Sequence, residues 1–346
     1  MKLLLAFWLG SAAALHAITA ACPLTFVTQP GFNVMTISII PQGLSGLGDS
    51  DTTTLTGSVT AQLDINPKTG KTSELTLSNG RVNGTNMNFS RSIFLVGGYN
   101  FNVTNFSAAL NTTSPPGVVD PGTGQFDASQ HRFDVDQGAI TGSTNGIIGN
   151  NTINEAFTPA NPASGNGTGT GTVTLGLVGD SGIYRVYNVT VTLPVTIADT
   201  FDAGGLLVDV TATGTLKATG TVQVPRTEYL AWTAAQSTPG VSFQADSNGD
   251  GVPNGLAWAL GLGAGGNARA HLPAPDPDTP GAFLLTLPAG GTGGALLVES
   301  STDLSDWEPA VLPPGMPNPI PAGTTGTIVI PPAGSGLFVR VSAAEP

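Results

Sequence analysis

Apolar and polar side chains alternate along much of the chain between residues 24 and 225. The stretch GSVTAQLDI places Val59, Ala61, Leu63 and Ile65 at alternate positions, and the segment 187–197 repeats the pattern over a longer run. A period of two residues sends successive side chains to opposite faces of a β-strand. These segments therefore predict strands that bury one face and expose the other.

Turn-forming residues separate the predicted strands. In NPKTG, Pro67 restricts φ, and Gly70 can adopt the positive φ that a tight turn requires. Asn79-Gly80 stands between two apolar alternations, which is a strong hairpin signal. Many short strands at this spacing are typical of a β-sandwich or an open barrel. We therefore predict an all-β fold, in which residues 22–226 form a large antiparallel sandwich or open barrel.

One segment interrupts this pattern. Residues 150–172 are rich in Asn, Gly, Thr and Pro and contain few apolar side chains. Such a composition is typical of an exposed loop. We therefore expect a long surface connection at this point of the β domain.

Composition narrows the class of partner. Asp, Glu, Lys and Arg make up 10% of the residues, against about 25% in average soluble proteins. The 23 acidic residues outnumber the 11 Lys and Arg, which gives a formal charge of −12. Phosphate backbones and anionic lipid surfaces bind clustered cations, so nucleic acid is not an expected partner. Divalent cations fit this charge balance better, because they prefer carboxylate and amide oxygens.

The first 21 residues have the layout of a secretory signal peptide. Lys2 precedes an apolar run from Leu3 to Leu15, and small residues follow. The run is too short for a comfortable membrane span. No later stretch is apolar for long enough to predict a transmembrane segment. We therefore expect the chain to be exported to the cell envelope or to the extracellular space.

The single cysteine, Cys22, directly follows Thr19-Ala20-Ala21. This arrangement resembles a relaxed bacterial lipoprotein signal, in which Cys22 would carry a lipid anchor. The alternative is ordinary cleavage near Ala21, which would leave an incidental thiol. One cysteine forms no internal disulfide, so the stability of an exported chain must come from its core or from a metal.

Two patterns indicate catalytic chemistry, and each has a simpler structural interpretation. GDSG matches the serine-protease nucleophile loop at Ser181, with His131 and Asp134 or Asp136 upstream. However, the short separation of His131 from Ser181 leaves no room for the two-barrel layout that assembles such a triad, so we interpret GDSG as a hairpin turn. Asp134 and Asp136 share one face of a strand and are candidates for the carboxylate pair of a glycoside hydrolase. Such a pair is far more often a solvated strand face or a turn edge.

A transition-metal site is not predicted. His131 and His271 are the histidines that follow the signal segment, and neither has a second His or a Cys at ligand spacing. No phosphate-binding loop or dinucleotide fingerprint is present in the sequence. We therefore expect the chain to be non-catalytic.

The stretch ADSNGDGVPNGLAWALG, residues 245–261, has the spacing of a calcium loop that leads into a short helix. Alternate side chains can converge on one cation as the chain curls, and Gly251 permits the sharp turn that the curl requires. Position seven would add a backbone carbonyl, and position nine a side-chain oxygen or a held water. The predicted calcium ligands are Asp246, Asn248, Asp250, Val252 and Asn254.

This spacing resembles the D-x-[DN]-x-D-G-x-x-[DN] calcium loops of dockerins and thrombospondin type 3 repeats. The sequence departs from that family at Ala257, the twelfth position, where the family usually has an Asp or Glu that closes the calcium shell. The alternative is a metal-free Asx turn that caps the helix beginning near Gly255. If calcium binds, a water or a distant carboxylate would replace the missing acid, and the candidates are Asp276, Asp278, Asp303 and Asp306.

The last third of the chain resembles a C-terminal module found on large secreted proteins of environmental bacteria. The resemblance rests on Tyr229–Trp232, the acidic loop, the GLAWALG helix, the strand-like LLVESSTDLSDW and the closing GLFVRVS. Ala257-Trp258 stands where that module usually has an acid and an aromatic residue. The resemblance implies a linker, residues 227–263, that carries the calcium loop, followed by a small β domain, residues 264–346.

The sequence therefore favours an exported structural or adhesive protein with one structural calcium ion that fixes the junction between its domains. The expected partners are cell-surface or extracellular matrix components, glycans among them. The first alternative is a carbohydrate-binding protein, which requires exposed aromatic side chains along a groove, such as those of Tyr99, Phe101, Tyr184 and Tyr187. The second is a glycoside hydrolase built on Asp134 and Asp136, which requires a deep cleft around them.

Overall fold

The computed structural model describes residues 17–113, 117–146, 149–160, 162–202, 206–332 and 336–346. Strands predominate over helices among these residues, so the prediction of an all-β fold is confirmed. The chain divides between Val224 and Pro225 into two compact units. They are designated the N-terminal unit, from residue 17 to residue 224, and the C-terminal unit, from residue 225 to residue 346.

The described residues of the N-terminal unit form fourteen strands of one antiparallel sheet. The strands are β1 (Ile18–Phe26), β2 (Val34–Pro41), β3 (Asp49–Ile65), β4 (Thr72–Gly84), β5 (Met87–Ile93), β6 (Gly97–Thr112), β7 (Gly117–Val118), β8 (Gln125–Asp127), β9 (His131–Gly146), β10 (Thr152–Phe157), β11 (Ala163–Gly167), β12 (Thr170–Ser181), β13 (Tyr184–Asp202) and β14 (Leu207–Pro225).

The pairing path of this sheet closes on itself. β14 pairs with both β13 and β2, so the path β2–β3–β4–β6–β9–β11–β13–β14 returns to its first strand. β1 pairs with residues 58–65 of β3 and, at its end, with β14. A closed path leaves few strand edges exposed. The inward-facing apolar residues of alternate positions form one core cluster among the described residues. One closed sheet therefore buries these apolar residues, and a sandwich of two separate packed sheets is not needed.

The two turn predictions have different outcomes. NPKTG closes the hairpin between β3 and β4, where Gly70 N donates to Asn66 O at 2.8 Å and Gly70 has a φ of 66°. Asn79-Gly80 is not a hairpin turn, because it lies inside β4 at a break in register with β3. Asn79 adopts a φ of 52°, and a Cβ on Gly80 would lie 2.4 Å from Leu110 O. The dipeptide therefore provides a bulge and a close approach of strands.

The expectation of a long loop over residues 150–172 is wrong. This segment contains β10 and β11, both of which pair with β9. Its few apolar side chains contribute to the core, since Ile153 is buried and Phe157 packs against the core. Composition was misleading here because backbone hydrogen bonds to an existing strand hold a polar segment in extended form.

The signal-peptide prediction lies partly outside the described residues, since residues 1–16 are not among them. Residues 18–21 begin β1 and pair with residues 62–65 of β3. Removal of residues 1–21 would therefore shorten this strand at its start. The side chain of Cys22 is fully buried in the core, and burial raises the pKa of its thiol to about 11. A lipid on this sulfur would require Cys22 to leave the core.

The described residues of the C-terminal unit form two α-helices and two small sheets. The helices are α1 (Glu228–Ala235) and α2 (Asn254–Ala259), and the strands are β15 (Ala274–Pro275), β16 (Phe283–Leu287), β17 (Leu296–Ser301), β18 (Glu308–Pro309), β19 (Gly326–Ile330) and β20 (Phe338–Ala343). One sheet has the order β15–β16–β19 and the other β18–β17–β20. None of the helices among the described residues is long and apolar enough to cross a membrane.

The segment 227–263, predicted as a linker, does not stand apart from the small β domain. Its residues Tyr229, Phe243 and Trp258 are buried in the same hydrophobic cluster as Leu285 and Val298. Tyr229 contacts Phe243 and Trp258 edge-to-face, with ring centroids 5.0 and 5.9 Å apart. Apolar burial therefore makes the calcium-type loop part of a folded unit.

Candidate calcium loop and other candidate sites

The base of the acidic loop is closed by backbone hydrogen bonds and by close packing. Asn254 N donates to Ala245 O at 2.7 Å, and Gly255 N donates to Phe243 O at 2.9 Å. A Cβ on Gly255 would lie 2.2 Å from the Phe243 ring. Because a real Cβ does not approach an aromatic carbon so closely, position 255 requires glycine. The loop is therefore anchored to the aromatic cluster at the point where α2 begins.

Asp246 determines the curl of the loop. Its Oδ1 accepts a hydrogen bond from Gly249 N and its Oδ2 accepts one from Gly251 N, both at 2.9 Å. Gly249 and Gly251 adopt φ values of 72° and 82°, a region that favours glycine. The carboxylate therefore lies within the turn that the two glycines make.

Asn248 and Asp250 connect the loop to a later segment of the C-terminal unit. Asn248 Nδ2 donates to Gly266 O at 2.7 Å, and Ala268 N donates to Asp250 Oδ2 at 2.7 Å. Within the loop, Val252 N donates to Asp250 Oδ1 at 2.8 Å. We refer to the contacts of Asn248 and Asp250 with Gly266 and Ala268 as the clamp. These partners are backbone groups, which no side-chain pattern in the sequence could have indicated.

The hydrogen bonds that Asp250 accepts also act on the pKa of its carboxyl. Burial raises the pKa of this carboxyl, but hydrogen bonds from the amides of Val252 and Ala268 and from the Asn248 side chain together lower it below its ordinary value. The carboxylate of Asp250 is therefore ionised at neutral pH. An ionised carboxylate is the form that binds a cation.

The remaining predicted ligands lie at the base of the loop. Val252 and Asn254 are buried. Asn254 Oδ1 accepts from Ser247 N at 3.3 Å, while Nδ2 donates to Ser247 Oγ at 2.9 Å and to Ser242 O at 3.4 Å. Of the five predicted ligands, Asp246, Asn248 and Asp250 accept hydrogen bonds from backbone amides of one turn. Asn254 instead holds the two ends of the loop together.

Two observations bear on how the loop would be completed, and the second corrects the expectation of a distant carboxylate. Ala257 is buried in the hydrophobic cluster, so the helix turns this position toward the core. Among the described residues, no three His, Cys, Asp or Glu side chains come together as a metal-binding group. None of the distant acids Asp276, Asp278, Asp303 and Asp306 therefore joins Asp246 and Asp250 to replace the missing ligand.

The metal-free alternative also needs correction. The N-cap of α2 is Pro253, and it has no side-chain capping hydrogen bond. The Asx turns of the loop therefore satisfy amides within the loop and at Ala268, and they do not cap the helix. The residues fit a calcium ion in donor chemistry, since both oxygens of Asp246 and Oδ1 of Asp250 each accept one hydrogen bond and have a second lone-pair site, whereas Asp250 Oδ2 accepts two hydrogen bonds. The donor set is small, with two carboxylates, one amide and one backbone carbonyl.

The residues of the protease pattern are not a catalytic group. GDSG forms the turn between β12 and β13, where Ser181 pairs with Tyr184 and Gly182 has a φ of 60°, as we predicted. His131 is fully buried, with Nδ1 2.9 Å from Thr112 Oγ1 and the ring edge-on to Phe126. Burial lowers the pKa of His131 to about 4. Among the described residues, His131 Nε2 has no hydrogen-bond partner.

Asp134 and Asp136 lie on the outer face of β9, since they alternate with the buried residues His131, Phe133 and Val135. Asp136 forms an ion pair with both terminal nitrogens of Arg81. Asp134 pairs with Arg132 Nε at 2.6 Å and accepts a hydrogen bond from Ser164 Oγ. Both carboxylates are thus held by partners on the sheet surface, which agrees with the interpretation of this pair as part of a solvated strand face.

The aromatic residues required by the carbohydrate-binding alternative do not line a groove. Tyr99, Phe101 and Tyr187 are buried in the core of the N-terminal unit, and Tyr184 is half-buried. Tyr99 stacks on Phe101 at a centroid distance of 4.7 Å and donates to Leu47 O at 2.6 Å. Side chains packed inside the sheet cannot stack on a sugar in solvent. No family model, curated protein or solved structure matches this chain.

Proposed function

We propose that this chain is an exported structural or adhesive protein of the cell envelope or extracellular space, and that its C-terminal unit binds one calcium ion at the loop 246–254. The observation that carries the proposal is the curl of this loop, in which Asp246, Asn248 and Asp250 are joined through neighbouring backbone amides. Calcium would act on stability, because an ion that binds only the native state favours that state.

The ionisation of Asp250 supports ion binding over proton transfer. The lowered pKa of Asp250 keeps its carboxylate charged at neutral pH, whereas a general acid or base works best when its pKa lies near the working pH. We therefore propose no catalytic step for the loop.

The small donor set sets the expected affinity. Asp246, Asn248, Asp250 and the Val252 carbonyl would hold calcium, and water would complete the shell. Sites with few carboxylates belong to the weak end of the calcium range, with a Kd of about 10⁻⁴–10⁻³ M in extracellular modules. Such a site would respond to the calcium outside a cell, which agrees with the proposed export.

The adhesive role is supported by one exposed surface of the N-terminal unit. Phe94 and Leu95, in the turn between β5 and β6, expose 88% and 83% of their residue surface. Adjacent large apolar side chains in solvent mark interaction sites more often than isolated ones do. We propose that a cell-surface or matrix partner contacts this apolar tip, Phe94-Leu95.

A matched pair of variants tests the apolar tip. Leu177 and Val178 are also adjacent and each exposes 61%. We expect the double variant Phe94→Ser, Leu95→Ser to co-sediment less with envelope fragments of the producing cells than wild type does, and Leu177→Ser, Val178→Ser to behave like wild type. Equal co-sedimentation of both double variants would remove the tip from the proposal.

Thermal unfolding of the full chain tests the calcium proposal. Trp232, Trp258 and Trp307 all lie in the C-terminal unit, so tryptophan fluorescence reports this unit once Trp8→Phe removes the remaining tryptophan. Calcium at ten times its Kd would stabilise the unit by about 1.4 kcal/mol, or about 4 °C or more in Tm. Far-UV circular dichroism of the strand-rich N-terminal unit provides an internal reference that calcium should leave unchanged.

The variants must separate loss of calcium from loss of the loop's own hydrogen bonds. Asp246→Asn should abolish the difference in Tm between calcium and EDTA, whereas Asp278→Asn, an exposed acid outside the loop, should retain it. Magnesium at equal concentration controls for ionic strength. Identical fluorescence melts in calcium and EDTA for the wild-type chain would refute the proposed site.

A further inference from the structure

The closed sheet of the N-terminal unit contains an apolar cavity of about 100 Å³. Side chains from β2, β5, β6, β9, β10, β11, β13 and β14 line it, and they are apolar except for Asp199. Met35 of β2 and Met87 of β5 are among them. Close-packed protein interiors leave few voids larger than a water molecule. This space is therefore larger than ordinary packing leaves inside a sheet.

The cavity adjoins a depression on the surface of the same unit. The depression has a volume of about 390 Å³, and five residues line both spaces: Ile140, Phe157, Ala163, Asp199 and Phe201. Phe157 and Phe201 are half-buried, and both pack against the core. The two rings therefore stand where the apolar interior meets the surface.

The charge at this opening has one sign. Glu155, Asp199 and Asp202 line the depression, and neither Lys nor Arg is among the described residues that line it. These carboxylates, which lie next to an apolar space, would attract a cation and repel an anion. The formal charge of −12 on the whole chain acts in the same direction.

We propose that the N-terminal unit binds a small amphiphilic cation, with its apolar group in the cavity and its ammonium group beside Glu155, Asp199 and Asp202. Small apolar molecules enter dry, apolar cavities of similar size, and benzene occupies an engineered cavity of about 150 Å³. A site of this kind combines an apolar pocket with few polar groups at its edge. This inference does not depend on the calcium loop, which belongs to the other unit.

Benzyltrimethylammonium is a suitable probe because it joins a benzene-sized apolar group to a permanent cation. Phenylmethanesulfonate and benzyl alcohol are the matched anionic and neutral probes. We expect saturable binding to the full chain by calorimetry, with the cation binding at least tenfold more tightly than the anion and the alcohol between them. Added salt should weaken the binding of the cation and of neither other probe. Absence of saturable binding for all three probes would overturn the proposal, and an anion that binds as tightly as the cation would overturn the assignment of the carboxylates.

Methionine methyl resonances locate the bound probe without any destabilising substitution. The chain has four methionines, of which Met35 and Met87 line the cavity and Met316 lies in the C-terminal unit. Benzyltrimethylammonium should shift the Met35 and Met87 signals, assigned with Met35→Leu and Met87→Leu, and should leave Met316 unchanged. Unchanged Met35 and Met87 signals at saturating probe would place the binding elsewhere and overturn the proposal.

Two further variants test the two parts of the site. Asp199→Asn should reduce affinity for the cation severalfold and leave that for benzyl alcohol unchanged, whereas Glu74→Gln, an exposed acid on β4, should change neither. Ala163→Leu, at the opening, should weaken the binding of all three probes. Should Ala163→Leu prevent folding, judged by far-UV circular dichroism, the methionine shifts still decide the question. Equal effects of Asp199→Asn and Glu74→Gln would show that only net charge matters and would contradict the proposed site.

Discussion

Acid should destabilise the N-terminal unit through His131. The ring is fully buried and burial lowers its pKa to about 4, whereas an unfolded histidine titrates near 6.5. Below pH 6.5 the unfolded chain binds a proton that the folded chain does not. The free energy of unfolding is therefore at its full value above pH 6.5 and falls as the pH decreases toward 4.

The two pKa values fix the size of this effect. A separation of about 2.5 units corresponds to roughly 3 kcal/mol once the pH is well below 4. Between pH 7.5 and pH 5, where most carboxylates stay ionised, the loss is about 2 kcal/mol. This is a substantial part of the 5–15 kcal/mol that is typical of a native protein.

Urea unfolding of the full chain, followed by far-UV circular dichroism at pH 7.5 and pH 5, measures the effect. His131→Leu should lower stability at pH 7.5, because the contact with Thr112 Oγ1 is lost, but it should remove most of the difference between the two pH values. His271→Leu, in the C-terminal unit, is the matched control and should retain that difference. A wild-type difference of 2 kcal/mol that persists in His131→Leu would show that another group carries the pH dependence.

Three further predictions follow from positions with a defined contact. Gly255→Ala should destabilise the C-terminal unit by about 1–3 kcal/mol, because its Cβ would meet the Phe243 ring; Gly265→Ala, where the space is open, is the control, and equal fluorescence melts for the two variants would contradict the packing. The Cys22 thiol should resist Ellman's reagent in the native chain and react in urea, because it is buried and its pKa is raised to about 11; rapid reaction at pH 8 without urea would contradict its place in the core. Asp250→Ala should lower the Tm of the C-terminal unit even in EDTA, because it breaks the clamp to Ala268; an unchanged Tm in EDTA would mean that the clamp contributes nothing.

Local patterns predicted the features that depend on local chemistry. The alternation around Val59 and Leu63 matched β3, and the turn at Gly70 formed as predicted, because side-chain period and positive φ are properties of a few neighbouring residues. Asn79-Gly80 was misinterpreted because the same positive φ serves a bulge as well as a hairpin. The strands β10 and β11 escaped prediction since their partner β9 holds them through backbone groups.

The candidate sites also have local features that the sequence predicts and non-local features that it does not. The spacing from Asp246 to Asp250 predicted the curl of the loop, because alternate side chains and the intervening glycines define it locally. The clamp could not be predicted, since Gly266 and Ala268 contribute only backbone atoms. The cavity beside Asp199 depends on how eight strands close around one interior. Alternation along one strand shows which side chains point inward and not whether they fill the space.

Calcium binding by the loop 246–254 can be measured by calorimetric titration of the calcium-free full chain with calcium chloride, at concentrations up to about ten times the expected Kd of 10⁻⁴–10⁻³ M. We expect one site per chain in the wild type and in Asp278→Asn, and no saturable binding in Asp246→Asn. Absence of saturable binding in the wild type, or equal binding in Asp246→Asn, would contradict this expectation.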